Sequence, residues 1–300
     1  EAPGSGVQLV RAVHDAGIPA GVVNLVLGPS ANISDHLISS PIIRKIGFTG
    51  STPVGKLLAG KAAAKLKMFT GELGGNAPVI LFDDFDVATA VDRIVPRKLR
   101  NAGQVCTAPN RFFVHERIHD AFVDSYTTAL VNARIGDAID ETTDMGPLVN
   151  ERRIAAMDAF VKDAMAKGAT LHHGGTRLDR PGYFFDNTVI IDVPRDAYVT
   201  SEEIFGPVSP IFRFSDFDEV IARANEVDVG LSSYVFTNNL QRAKAAANRI
   251  RTGTVSINHG IAQFAEAPFG GVKDSGWGRV GGSEGLNAYL TTKLISTRFD

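Results

Sequence analysis

Short apolar runs alternate with amphipathic stretches along most of this chain, and that alternation limits the possible folds more than any other feature. Val7, Val10 and Val13 share one helical stripe, and Gly17 suits its cap. "GVVNLVLG" (21–28) reads as a strand, a second helix ends near Pro41, and "IRKIGFTG" (43–50) reads as the next strand. "STPVGKLLAGKAAAKLK" (51–67) reads as a helix, with Thr52 as N-cap and Pro53 in the first turn. From about residue 75 a second series begins. Strands are expected at 77–82, 111–116, 207–214, 232–237 and 253–258, and helices at 86–100, 117–133, 151–167, 217–227 and 239–251. Strand–helix–strand spacing of this kind requires parallel strands joined by crossover helices. The expected fold class is therefore α/β, with part of a doubly wound sheet followed by a second α/β unit. "TTKLISTRFD" (291–300) alternates as a strand does but has no neighbour in sequence to pair with, so it is expected to complete the sheet of another subunit.

Charge narrows the function classes. The 31 basic and 33 acidic residues are well mixed and leave a formal net charge of −2, which offers no footprint for nucleic acid or an anionic membrane surface. No apolar run reaches the ~18 residues of a membrane span. A single cysteine, Cys106, excludes an internal disulfide, and no Cys/His cluster has metal-site spacing, so no metal is expected and the setting is read as reducing and cytoplasmic. The chain starts at Glu1, and "EAPGSG" is a poor beginning for a fold, so upstream sequence is expected to be missing.

Several stretches carry chemistry. "FTGSTPVG" (48–55) puts Gly50, Ser51 and Thr52 where a strand turns into a helix, which suits either an anion site or a plain capped helix. "GELGGN" (71–76) brackets Glu72 with glycines after an apparent strand at 67–70; a carboxylate held there is a candidate general base or a solvated loop residue. In "NAGQVCTAPN" (101–110), Cys106 has polar and backbone-permissive neighbours rather than a core stripe. A new helical turn starting at the thiol would lower its pKa and present N–H donors to an oxyanion. "SEEIFGPV" (201–208) and "EAPFGGVKDSGWGR" (266–279) read as surface loops when taken singly. "GWGRVG" (276–281) and "GGSEG" (281–285) match dinucleotide and nucleophile-elbow patterns but lack the preceding strand each needs, so both read as flexible loop.

Taken together and in this order, "FTGSTPVG", "GELGGNAP", "NAGQVC", "EEIFGP" and "PFGGVKDSGWGR" resemble the aldehyde dehydrogenase superfamily over most of the chain. The resemblance implies a Rossmann-like cofactor domain and NAD or NADP as cofactor. It makes Cys106 the nucleophile that attacks an aldehyde carbonyl, and Glu72 the base that activates water to hydrolyse the thioester. Gly50, Ser51, Thr52 and Gly55 match the pyrophosphate turn; Leu73 matches the residue whose backbone meets the nicotinamide; Glu203 and Phe205 match the pair beside its ribose. Phe269 is expected at the substrate end. A finer likeness to the succinate-semialdehyde dehydrogenase-like branch assigns Arg100 to a substrate carboxylate, with Gln263 standing where that branch often carries a serine. Val280 interrupts its usual acidic motif, and Ala108 replaces a second cysteine. The family's oxyanion asparagine, its adenosine-ribose lysine and the acidic residue favouring NAD would lie upstream of Glu1. On this likeness residues 1–74 form the second half of a cofactor domain, 75–274 a catalytic domain, and 275–300 a return and oligomerisation strand serving a homodimer or homotetramer. The implied substrate is a small aldehyde. Two other readings stand beside it: a fold-bearing fragment impaired in catalysis, and a cysteine hydrolase with a histidine partner.

Overall fold

A computed structural model describes residues 2–300. Its strands are β1 (Lys45–Thr49), β2 (Met68–Glu72), β3 (Ala77–Leu81), β4 (Pro109–His115), β5 (Thr170–His173), β6 (Thr188–Ile191), β7 (Val208–Phe214), β8 (Val229–Gly230), β9 (Ser232–Phe236), β10 (Thr254–Ile257), β11 (Val272–Lys273) and β12 (Gly276–Trp277). Helices α1 (Gly4–Asp15), α2 (Ser30–Ser39) and α3 (Thr52–Ala63) belong to the first part of the chain. Then come α4 (Val87–Leu99), α5 (His119–Asn132), α6 (Glu151–Ala166), α7 (Tyr198–Ser201), α8 (Phe217–Asn225), α9 (Leu240–Arg249) and α10 (Gly282–Asn287).

The chain divides into two compact units, one holding the residues up to Gly47 with Lys56–Phe69, the other Phe48–Gly55 with Thr70–Asp300. These bounds differ from a division after residue 74. In the smaller unit, the Lys67 ammonium donates to the Ser40 and Ile43 carbonyls, and Ile38, Leu58 and Ala62 are buried.

In the larger unit a seven-stranded sheet runs in the order β10-β9-β3-β4-β7-β6-β5. Every neighbouring pair is parallel except β5 with β6. All five residues of β3 are buried, as a strand covered on both faces requires. In α4 the Asp86 carboxylate accepts the Thr89 N–H as an N-cap, and Ala90, Val91, Ile94 and Val95 form the buried stripe. Phe112 of β4 packs on Tyr126 of α5 with ring centroids 5.0 Å apart, and the Tyr126 hydroxyl shares a 3.0 Å hydrogen bond with Ser209 of β7. The same unit holds the ends of β1 and β2, in a three-stranded sheet of order β1-β2-β12.

Three sequence expectations need correction. Residues 21–28 form no strand: no other strand pairs with them, and Val22, Val26 and Leu27 are exposed. "GWGRVG" is not simply loop, because Gly276 and Trp277 pair antiparallel with Glu72 and Gly71, and "GGSEG" runs into the short helix α10. Thr52 is the first residue of α3 rather than its cap, and its hydroxyl donates 3.1 Å to the Asp274 carbonyl. Residues 291–300 make no strand within this chain and are exposed. Among the described residues no helix is long and apolar enough to cross a membrane, and no His/Cys/Asp/Glu group is arranged to hold a metal ion.

Candidate active site

Past Leu99 the chain leaves α4 through a 3-10 turn, Arg100–Gly103, in which Asn101, Ala102 and Gly103 all have positive φ. The turn is locked from within. Asn101 Nδ2 donates 3.0 Å to the Gln104 carbonyl, Gln104 Nε2 donates 2.9 Å to the Asn101 carbonyl, and Gln104 Oε1 accepts the Val149 N–H at 2.9 Å. A Cβ at Gly103 would stand 2.3 Å from the Gly206 carbonyl oxygen, so only glycine fits there.

Cys106 follows in a turn that leads directly into β4, not at the head of a helix. The expected lowering of its pKa is therefore reversed. Burial raises the thiol, the Glu203 and Glu72 carboxylates raise it further, and the backbone N–H groups of Cys106 and Thr107 offset this in part. The side chains acting on the thiol are carboxylates, and no histidine is among them.

Glu72 ends β2. Its backbone carbonyl accepts the Gly50 N–H at 3.1 Å; the residue is 7% exposed, and its buried carboxylate has no hydrogen-bond partner on either oxygen. Burial raises its pKa to about 7, against the opposing pull of Arg279. A carboxyl near neutrality, with both oxygens free, can exchange protons at physiological pH. The following residues are fixed by Ser275. Its carbonyl accepts the Leu73 N–H at 2.9 Å, and its hydroxyl donates 2.6 Å to the Gly74 carbonyl while accepting the Gly230 N–H at 2.8 Å. Sequence reasoning missed this role, because a lone serine in a glycine-rich loop carries no local signal.

The proposed cofactor residues converge within the larger unit. A Cβ at Gly55 would stand 2.3 Å from Leu73 Cδ2, and one at Gly74 would stand 2.7 Å from Glu203 Oε2 and 3.4 Å from Thr52 Oγ1. Glu203 Oε1 accepts the Gly75 N–H at 3.1 Å. Gly50 and Ser51 lie exposed where the chain turns into α3, whose first N–H groups and dipole favour an anion. The loop 203–205 is held by Arg153, another residue the sequence did not single out. Its guanidinium donates to the Ile204 carbonyl and, at 3.1 Å, to the Phe205 carbonyl, and lies 5.7 Å from the Phe205 ring centroid. Phe205 itself has φ +48°. These glycines with no room for a side chain, an exposed helix start and a half-buried carboxylate fit a nicotinamide dinucleotide.

Arg100 and Gln263, predicted separately, line one cavity of about 120 Å³ with Arg97, Val105, Thr107 and Tyr234. Val105 and Thr107 flank Cys106 in sequence, and the Tyr234 hydroxyl donates 2.6 Å to the Thr107 carbonyl. Phe269 is buried, its backbone pairs with Val280, and it is not among the residues lining this cavity.

Comparisons with known proteins give the chain's relatives. Residues 1–295 match the family model described as the aldehyde dehydrogenase family. Succinate-semialdehyde dehydrogenase [NADP(+)] GabD of Escherichia coli (strain K12) is 41% identical over 295 residues, which cover 98% of this chain and 61% of that protein. Glutarate-semialdehyde dehydrogenase of Pseudomonas putida is 40% identical with the same shares covered. A crystal structure of succinate-semialdehyde dehydrogenase from Burkholderia pseudomallei superposes with a TM-score of 0.93 at 41% identity, covering 96% of this chain and 60% of that one. The chain thus spans about three-fifths of the length of the relatives it matches.

Proposed function

The chain belongs to the aldehyde dehydrogenase family, and from that premise we propose that it oxidises an aldehyde to a carboxylic acid through Cys106, with Glu72 as base. The observation that carries this reading is the Glu72 carboxyl: buried, unpartnered, raised to about 7, and near enough to Cys106 to act on its thiol.

Because the thiol pKa is raised, Cys106 is not a resting thiolate, and its proton must leave as the sulfur attacks. Glu72 takes that proton. The new C–S bond pushes the carbonyl π pair onto oxygen, where the Cys106 N–H supplies a donor. Gly50, Ser51, Thr52 and Gly55 would hold the pyrophosphate of NAD or NADP, and Leu73, Glu203 and Phe205 its nicotinamide ribose end. When bound, that cofactor accepts the hydrogen and electron pair lost by the substrate carbon. Glu72 gives up its first proton to solvent, then takes one from the water that cleaves the acyl–sulfur bond and passes it to the departing Cys106 sulfur, releasing the acid and restoring the thiol.

In the same reading, Arg100 pairs the carboxylate of a semialdehyde such as succinate or glutarate semialdehyde, and Gln263 adds a polar contact. Residues 1–74 belong to the cofactor domain and also bring Glu72; residues 75–274 belong to the catalytic domain, with Cys106, and also bring Glu203 and Phe205 to the cofactor. The exposed Leu294, Ile295 and Phe299 serve assembly with further copies. The test is to incubate the protein with succinate semialdehyde and each cofactor, following cofactor reduction by absorbance. Reduction that disappears in Cys106→Ser is expected; full turnover by that variant would remove Cys106 as nucleophile. No reduction with either cofactor, despite saturable cofactor binding, would favour an impaired fragment. Ester cleavage that requires a histidine would favour a hydrolase.

A further inference from the structure

The cavity beside Cys106 holds two guanidinium groups, and only Arg100 was expected there. Among the described residues the side chains of Arg97 and Arg100 form no ion pair or hydrogen bond, and no carboxylate lines the cavity. One turn earlier on α4, Arg93 shows the contrast, since its guanidinium donates 2.6 Å to the Asn258 carbonyl. A helix C-terminus tolerates cations, but that alone does not turn two of them toward one small space.

Arg97 runs along the Gly260 backbone: a Cβ there would stand 2.6 Å from the Arg93 carbonyl oxygen, 2.8 Å from Arg97 Cγ and 3.2 Å from its Nε. Arg97 also lies close enough to the Tyr234 phenol to act on it electrostatically, and that phenol donates to the residue after Cys106.

One guanidinium satisfies a monocarboxylate through two parallel hydrogen bonds. A second cation in the same cavity then repels the first, unless the ligand brings a second negative charge and further acceptor oxygens. We propose that Arg97 is a second anion-recognition residue of this cavity, and that with Arg100 it selects ligands whose far end is dianionic, such as a phosphonate, over monocarboxylates. As a statement about substrates this rests on the aldehyde-oxidising function proposed above; as a statement about binding it does not.

The experiment is calorimetric titration of the full chain with propylphosphonate, butanoate and butanamide at a pH where the phosphonate is doubly ionised. None of the three can be oxidised as an aldehyde. Propylphosphonate should bind about tenfold tighter than butanoate, the difference one charge-assisted contact makes. Arg97→Gln should bring that ratio to about one while leaving butanoate within about twofold, and Arg100→Gln should weaken both anions about tenfold. Unfolding midpoints equal to the parent's establish that each variant is folded. An unchanged ratio in Arg97→Gln, or no binding of either anion, overturns the proposal. Cys106→Ala should keep the ratio and lose aldehyde oxidation. A ratio that persists in a protein that oxidises no aldehyde would sink the proposed reaction alone, and aldehyde oxidation with a ratio of one would sink the Arg97 role alone.

Discussion

Gly75 lies so close to Cys106 that a Cβ on it would stand 2.4 Å from the Cys106 carbonyl oxygen, while its N–H donates to Glu203. A single glycine thus joins the segment after Glu72, the turn that carries Cys106 and the half-buried Glu203 carboxylate. The obstacle is backbone, which cannot swing aside as a side-chain tip can. Gly75→Ala should destabilise by about 1–3 kcal/mol, the usual cost of overpacking. Urea unfolding should show a lower midpoint at unchanged slope; an unaltered midpoint would mean the Cys106 turn yields freely.

Glu72 gives a pH dependence with a definite sign. Its folded pKa of about 7 exceeds the ordinary value of 4.5, so the folded state holds the proton where the unfolded state has lost it. Its contribution to stability is full below 4.5 and is lost as pH rises through about 7. Glu72→Gln should flatten that decline, read as the difference in urea midpoint between about pH 5 and about pH 8. In the same window the parent's kcat/KM should rise with pH as the carboxyl ionises, and the variant's should lose that limb.

The Cys106 thiol should react slowly. Glu203 is the larger of the two charges raising it, so Glu203→Gln should lower the apparent pKa seen in iodoacetamide alkylation, and Glu72→Gln should do so by less. Glutamine at 203 can still accept the Gly75 N–H, which keeps the loop in place. Equal alkylation profiles in parent and Glu203→Gln would refute the electrostatic account.

Arg100 can be separated from general damage by choice of substrate. Arg100→Ala should raise KM for a carboxylate-bearing aldehyde by about tenfold or more, and KM for a neutral aldehyde little, through loss of a charge-assisted contact. A matching rise for both substrates would assign Arg100 to the turn and not to the ligand.

Arg153 holds the Ile204 and Phe205 carbonyls with one guanidinium. Both bonds come from Nη2, so lysine keeps one charged donor but loses the planar guanidinium's contact with the Phe205 ring. Arg153→Lys should therefore weaken cofactor binding in calorimetric titration while leaving Cys106 alkylation close to that of the parent.

Much of this molecule was legible in the sequence. Hydrophobic periodicity is local, so the alternation of β3, α4, β4 and α5 could be placed within a few residues. The glycines around Glu72 and Cys106 marked backbone that must pass close to something. The apolar run 21–28 shows the limit: periodicity reports a segment's preference, and a strand forms only where another offers its hydrogen bonds. What the sequence could not contain was the environment of each group. The raised pKa of Cys106 depends first on burial and then on Glu203, 97 positions away, with no helix at the thiol to oppose them. Ser275, Arg153 and Arg97 have unremarkable local contexts and gain their roles only from carbonyls, glycines and charges brought to them by the fold. Residue type and local pattern marked Cys106 and Glu72 as candidates. The tertiary structure decided their protonation and their partners, because burial and charge act through space and not along the chain.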